Sequence, residues 1–464
     1  MSEILDGLVP AQPSTPIESA VVVAIRPAGH GWDVLLGLRS RRARFFPAHW
    51  ACPGGRLEDA DRPAEPGAYA RCAARELAEE TGVEVRPEDL KDIGVRVTPP
   101  SHCLRYRSPF FLALLPPDAT VPEHSPSPDE NEELRFFPAA DVLAAWERGE
   151  IGVPPPLPPI LRVLAALPRA GRDELLRALR ADAERDLRAP RIEFTSGIWF
   201  HAVRSATLPP ASHTNVWMPG GERFAIVDPG CEEPAEIAQL LAICERRLHD
   251  GSRPHSVVLT HHHRDHAGGA AAIARELGLP VLAHPATLTL YDPGPGIAAE
   301  PALVEDARLD LGGMVLRVHH LPGHAPGHVV LAVEGRGCAI IGDLLSGVST
   351  VLIDPATGDM GAYMESLRRA RTLGLGLLLP AHGPPLAASA LDKALAHRED
   401  RERQVREALR DEPRPLADIA REAYADTPGV PSRLAELQAL AHLLHLQQQG
   451  AATCSPAATW RKFS

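Results

Sequence analysis

The sequence predicts a multidomain protein of the α/β and α+β classes, and three observations carry that expectation. A chain of 464 residues exceeds what one hydrophobic core normally organises, so two or three domains are expected. Apolar residues at 44% and charged residues at 23% give the balance of a globular chain. Short β-type runs also alternate with amphipathic helical stretches over most of the length, the pattern of layered sheet-and-helix packing.

Taken in order, the first region (residues 1–165) opens on the β-type runs SAVVVAIR and WDVLLGLR. A helical stretch, AYARCAARELAEE, comes next, then the strand-like SPFFLALL and a proline-rich boundary, VPPPLPPI. Across residues 166–190, RDELLRALRADAERDLR reads as an arginine-rich amphipathic helix bridging to the second region. In that region, residues 191–390, the runs FAIVD, SVVLT, PVLAH, MVLRVHHL, HVVLAV and CAIIGD are short strands bounded by Gly, Pro or Asp. AEIAQLLAICERRL and GGAAAIARELG are helical by period. Residues 391–464 are mostly helical by pattern.

Composition excludes several functions. Only Lys91, Lys393 and Lys462 are lysines, and none follows a glycine, so a phosphate loop ending in Gly-Lys-Ser/Thr is absent. No apolar run reaches the ~18 residues of a membrane helix. The acidic N-terminus lacks the order of a signal peptide. Seven cysteines without a C-x-x-C pair do not form a disulfide framework. Together these predict a cytoplasmic protein with reduced thiols and no membrane partner. A net charge of -12 argues against general coating of nucleic acid.

Histidine occurs 21 times, and the copies cluster. SVVLT runs straight into THHHRDHAGG, so His261, His263, Asp265 and His266 form an H-x-H-x-D-H pattern between a strand end and a helix start. His324, Asp343 and His382 each follow an apolar run. Imidazole and carboxylate suit zinc and similar divalent ions, and seven such side chains at strand ends are enough for two adjacent metal positions. A lone histidine is usually structural; this set is not a lone histidine.

The ordered set resembles the metallo-β-lactamase fold superfamily across residues 193–390, and the resemblance implies an αββα sandwich. It also implies two Zn²⁺ or other divalent transition-metal ions: one held by His261, His263 and His324, the other by Asp265, His266 and His382, with Asp343 bridging. FAIVDPG, with Asp228, is similar to the family's loop beneath the metals. His262 and His328 match no ligand position; His262 reads as a filler, and His328 as a residue that supports the ligands or contacts substrate. GDMGAYMESLRRA, LLLPAHGPPL, HREDRERQVREAL and LAHLLHLQQQG resemble the small lactamase-beta-like endoribonuclease type. That likeness implies a winged-helix-like C-terminal domain over residues 391–464 and cleavage of single-stranded RNA. Residues 391–464 carry 11 basic and 11 acidic side chains, whereas phosphate-tracking surfaces are normally basic. The tail is thus equally readable as a packing or homodimerisation element.

In the first region, Arg75-Glu76-Leu77-Ala78-Glu79-Glu80-Thr81-Gly82 places three carboxylates at i, i+3 and i+4 on a helix. Such crowding needs a compensating cation, and hard oxygen ligands suit Mg²⁺ or Mn²⁺. The motif, with Gly54 and Gly55 before it, resembles the Nudix hydrolase family over residues 18–165, an α/β/α sandwich. The resemblance implies metal binding by Glu76, Glu79 and Glu80, glutamates oriented by Arg75, and cleavage of a nucleoside-diphosphate-linked substrate. The usual glutamate between glycine and arginine is missing: about six extra residues interrupt the box, and Asp61 is the stand-in. LLGLRSRRAR is similar to a coenzyme A diphosphatase signature, which makes Arg39 and Arg44 substrate-binding candidates and a nucleotide or CoA-type molecule the substrate class. Glu130 and Glu133 are candidates for a further carboxylate. Asp265, Glu79 and Glu80 are the catalytic candidates.

The resulting expectation is a bifunctional metal-dependent hydrolase that splits a pyrophosphate at one site and single-stranded RNA at the other. The competing reading makes the second site a glyoxalase II-like thioester or small-ester hydrolase and the first a non-catalytic nucleotide sensor.

Overall fold

The computed structural model describes residues 11–43, 46–122, 125–456 and 458–463. It divides into two compact units, Pro13–His201 with Ala242–Arg246, and Ala202–Leu241 with Arg247–Ser464.

The first unit is built on a seven-stranded mixed sheet in which Ile17–Ala28 is central. That strand pairs antiparallel with Gly31–Arg39 and Gly54–Arg56 and parallel with Tyr106–Leu114. Alternate side chains of a strand point to opposite faces, and here both faces are buried. Ala20, Val22 and Ala24 pack with Cys72, Ala73 and Leu77 of the helix Ala68–Thr81. Val23 and Ile25 pack on the other side with Trp146, Leu161 and Leu164. The helix Arg172–Arg188, read from sequence as a bridge, sends Leu175, Leu176 and Leu179 into that same core. Gly82, left-handed at φ 73°, ends the glutamate helix and donates its N–H to Ala78, which is the helix stop its position predicts.

The second unit contains two sheets. In one, Ala299–Glu300, Val281–Leu282, Arg253–Val258, Arg223–Val227 and His213–Pro219 lie side by side. In the other, six strands run in chain order from Arg308–Asp310 to Leu386–Ala387. Asn215 and Trp217 of the first sheet join them: the Asn215 amide donates to the Pro380 and Gly383 carbonyls, and the Trp217 indole donates to Pro380 at 3.0 Å. The helix Met360–Arg371 covers the second sheet, burying Met360, Tyr363, Met364 and Leu367 against Ile341, Leu344 and Leu378.

Beyond the sheets, the helices Ser389–Ala408, Leu416–Ala423 and Ser432–Gln448 enclose a core of Val405, Ile419, Ala439, Leu443, Leu446 and Trp460. A three-stranded antiparallel sheet closes it: Thr459–Lys462 lies between Arg414–Pro415 and Ala452–Cys454. Leu391, Leu395 and Ala441 of these helices belong to the core of the second sheet, so the C-terminal region is packed onto the sheets of its own unit. Among the described residues no helix is long and apolar enough to cross a membrane.

Leu443 is fully buried. Leu443→Ala is expected to cost about 2–5 kcal/mol, read as a lowered urea unfolding midpoint of the full chain.

Candidate functional site

The second unit gathers all seven predicted side chains at one place. The loop after strand Arg253–Val258 carries His261 and His263, and the short helix Arg264–Ala267 carries Asp265 and His266. His324, Asp343 and His382 arrive from loops that follow strands Val315–His320, Cys338–Gly342 and Leu377–Pro380. Strand ends present these groups because the ladder stops there and the backbone turns its side chains toward one rim. His261, His263 with His324, His261 with His266 and Asp343, and Asp265, His266 with His382 each bring their ligand atoms within 4.8 Å of one another.

The distances fit metal ions. Nε2 of His261, Nδ1 of His263 and Nε2 of His324 form a triangle with sides of 2.9, 2.9 and 3.2 Å. Corners of a tetrahedron with ~2.0–2.1 Å metal–nitrogen bonds are roughly 3.3 Å apart. Three imidazole nitrogens facing one another cannot all be satisfied by protons, whereas a cation among them satisfies every lone pair. Asp343 lies between the two groups, one carboxylate oxygen 3.5 Å from both His324 and His266 and the other 3.5 Å from His382. His382 is also 3.4 Å from Asp265. Nε2 of His266 and Oδ1 of Asp343 are buried without any hydrogen-bond partner, the condition a bound cation removes.

The opposite ring nitrogens are tied back. Nδ1–H of His324 donates to the Leu352 carbonyl at 2.8 Å, and that of His382 to the His213 carbonyl at 3.0 Å. A carbonyl only accepts, so in the neutral form of either ring the lone pair is on Nε2. His261 donates to the Thr260 hydroxyl at 3.1 Å, which donates to Asp228 at 2.7 Å. His266 reaches the same Asp228 oxygen at 3.0 Å. These are the outer hydrogen bonds that orient metal-binding histidines.

Electrostatics follow from burial. Desolvation pushes the His261 and His263 rings well below their ordinary pKa, and neighbouring rings add to it. His266 is raised well above its ordinary value: burial opposes the charge, and the Asp343, Asp228 and Asp265 carboxylates outweigh it. Asp265 falls to about 2, burial notwithstanding, because His266 and His382 face it.

His328, a candidate for contact with substrate or with the ligands themselves, is fully buried. Its Nδ1 bonds the Leu321 carbonyl and its Nε2 accepts the Asp343 backbone N–H at 3.1 Å, so both polar atoms are engaged in holding the ligand loops. His262 takes no part in the gathered groups.

In the first unit the glutamate helix presents its carboxylates unequally. Glu80 accepts the Gly54 N–H at 2.9 Å and the Asn131 amide at 2.6 Å. Glu76 packs against Gly55, where a Cβ would stand 2.2 Å from the carboxylate, so a side chain there would push the Glu76 carboxylate from its place. Burial raises both glutamates to about 7. Glu79 instead turns outward, its side chain 58% exposed, and meets Arg75 at 2.8 Å. Among the described residues these three do not converge within 4.8 Å as the histidines do. Asp61, 2% exposed, takes a forked bond from Arg75 at 3.1 and 2.9 Å, so the aspartate of the interrupted box anchors the arginine that also pairs with Glu76 and Glu79. Glu130 is close enough to raise both buried glutamates; Glu133 pairs across the sheet with Leu38. Arg39 ends strand Gly31–Arg39 opposite Asn131, beside the glutamates, and Arg44 lies outside the described residues.

Residues 16–154 match the NUDIX domain and residues 210–382 the metallo-beta-lactamase superfamily. The chain joins a NUDIX domain to a metallo-beta-lactamase domain. It is 40% identical over 134 residues to a hydroxyacylglutathione hydrolase of Anaeromyxobacter dehalogenans, covering 29% of this chain and 46% of that protein. It is 27% identical to a beta-lactamase-like protein 2 homolog of Caenorhabditis elegans, covering 46% and 72% respectively. The chain thus spans under half the length of the first of these relatives. A beta-lactamase domain protein from Burkholderia ambifaria shares the fold at a TM-score of 0.52 and 22% identity, over 58% of this chain and 93% of that one. Both domain folds imply divalent-metal binding. Thr260, Asn215 and Asn131 were missed from sequence: nothing in a local pattern marks a side chain whose partner lies far along the chain.

Two outcomes follow from this geometry. Asp228→Asn removes the acceptor shared by His266 and Thr260, and zinc affinity is expected to fall about 10–100-fold in chelator competition. Glu76 and Glu80 bind protons more tightly folded than unfolded, so their contribution to stability is present below pH 4.5 and lost as pH rises through about 7. Added Mg²⁺ should therefore raise the melting temperature more above pH 7 than below pH 4.5, and Glu80→Gln should diminish that difference.

Proposed function

We propose that the lactamase-fold site hydrolyses an acyl thioester and that the NUDIX site cleaves the pyrophosphate of a nucleotide-linked molecule of coenzyme A type. The observation that carries the hydrolytic reading is the convergence of seven ring and carboxylate groups, with the other nitrogen of His261, His266, His324 and His382 tied to the protein. Divalent ions bound there would supply a nucleophile from water at neutral pH and polarise the bond under attack. The chain's own part is to fix the ring orientations, aim the Nε2 atoms of His324 and His382 inward by engaging their Nδ1–H groups and hold Asp343 between the two ligand groups.

The thioester reading draws on the similarity to a hydroxyacylglutathione hydrolase, because an acyl group on glutathione sulfur is a thioester. Acyl coenzyme A carries both a thioester and a pyrophosphate, which gives one substrate class to two sites fused in one chain. Catalysis by the NUDIX site, as opposed to sensing, is supported by Asp61: it restores the arginine anchor that the interrupted box lacks.

Single-stranded RNA is the second reading. It is favoured by the C-terminal order helix, strand, helix, helix, strand, strand, which is winged-helix-like. Weighing against it, the last helix buries Ala435, Gln438, Ala439, Ala441, Leu443 and Leu446 against its own unit, and the tail's 11 basic and 11 acidic side chains leave no net charge for phosphates.

Full-length protein, Glu80→Gln and His263→Ala should be assayed on acyl coenzyme A, free coenzyme A, ADP-ribose, an acylglutathione and single-stranded RNA. His263→Ala is expected to lose at least about 100-fold in thioester cleavage and keep pyrophosphate cleavage, with Glu80→Gln doing the reverse. RNA cleavage abolished by His263→Ala, with thioesters untouched by wild type, would replace the first reading with the second.

A further inference from the structure

The C-terminal helices do more than close a core. Residues 351–354 have no regular secondary structure, yet the Leu352 carbonyl is the group that fixes the His324 ring. A segment without a ladder holds its shape only if other groups satisfy its backbone. Here two side chains from the tail do so. Gln438, on helix Ser432–Gln448, donates its amide N–H to the Ile353 carbonyl at 2.8 Å and accepts the Ile353 N–H at 3.3 Å, as a neighbouring strand would. Arg398, on helix Ser389–Ala408, donates to the Val351 carbonyl and, at 3.3 Å, to the same Gln438 oxygen. The residues on both sides of Leu352 are thereby held.

Neither side chain is a surface group: Arg398 is 2% exposed and Gln438 is 7% exposed. Arg398 also lies over the Tyr363 ring at 5.2 Å. The Tyr363 hydroxyl donates to the Leu344 carbonyl at 2.8 Å, one residue beyond Asp343. Tyr363 abuts Gly323 as well, where a Cβ would stand 2.2 Å from the Tyr363 nitrogen. One buried cluster therefore touches the backbone just before His324, the segment that bonds the His324 ring, and the residue after Asp343.

We infer that Arg398 and Gln438 are positioning residues of the lactamase-fold centre, setting His324 through Leu352 and Asp343 through Tyr363. The inference rests on the reading of that centre as a metal site. It gives the C-terminal region a role in the chemistry without contact with nucleic acid or a second subunit. Losing the clamp frees Leu352 to move, and the His324 nitrogen then leaves the 2.9–3.2 Å triangle it forms with His261 and His263.

The test uses the full chain in a Glu80→Gln background, so that the glutamate site contributes less to metal uptake. Zinc affinity is measured by chelator competition for Gln438→Met, which keeps the volume and loses the hydrogen bonds, and for Leu443→Ala, which loosens the tail core away from the clamp. Gln438→Met is expected to lower zinc affinity about 10–100-fold for one of the two ions, while Leu443→Ala stays within about twofold of the parent despite its lower unfolding midpoint. Unchanged affinity in Gln438→Met would overturn the clamp and leave the metal centre standing. Equal losses in both variants would also overturn it, since general loosening would then suffice. A parent protein that takes up no zinc would overturn the metal reading and the inference together.

Discussion

The lactamase-fold centre depends on one buried carboxylate. Asp228 is 1% exposed and sits in the left-handed region at φ 54°, a conformation aspartate tolerates better than most residues. That turn aims both oxygens at the ligand loop: Oδ1 accepts the Thr260 N–H and Oδ2 accepts the Thr260 hydroxyl and the His266 ring. Thr260 in turn accepts from His261. A single negative group thus fixes the direction of two rings of the gathered set. Burying a charge is costly unless it is paired and hydrogen-bonded, and here the bonds that offset the cost are the same ones that organise the site.

The rest of the centre repeats the device with neutral acceptors. His324 leans on Leu352 and His382 on His213, each through a carbonyl that can only accept. The differences among these supports matter. The Asp228 bonds are local to one sheet, between the ends of neighbouring strands that run parallel. The Leu352 carbonyl belongs to an irregular segment, so its position is borrowed from helix residues Arg398 and Gln438, 47 and 85 residues downstream of the groups they hold. The weakest-determined ligand by its own loop is the one with the most elaborate outside bracing.

This contrast explains what was legible in the sequence. H-x-H-x-D-H and the strand-terminal His324, Asp343 and His382 are local signals, because ligands at strand ends leave their type and spacing in the chain. The glutamate helix with its Gly82 stop was equally readable, since capping and i, i+4 geometry are short-range. Partnerships across the fold were not. His328 stands four residues after a ligand in a loop rich in glycine and proline, and only the packing shows that both its nitrogens are already used by backbone. The helix Arg172–Arg188 has the arginine-rich look of an exposed bridge, but Leu175, Leu176 and Leu179 at helical spacing place it in a core. Asp61 could be nominated by counting; its forked bond to Arg75 needed the intervening loop to fold back.

The two sites solve the same electrostatic problem in opposite ways. At the histidine centre five rings and two carboxylates converge, and the outer nitrogens of His261, His266, His324 and His382 are satisfied by the protein, so the unmet demand is for positive charge among the converging atoms. At the glutamate site, burial holds Glu76 and Glu80 near the midpoint of protonation at neutral pH, and a single cation of the protein, Arg75, is shared among Asp61, Glu76 and Glu79. The first arrangement favours a tightly held transition metal, because imidazole gains little from protons it cannot accommodate. The second favours an ion that comes and goes with an anionic substrate, because each carboxylate has a proton as an alternative partner.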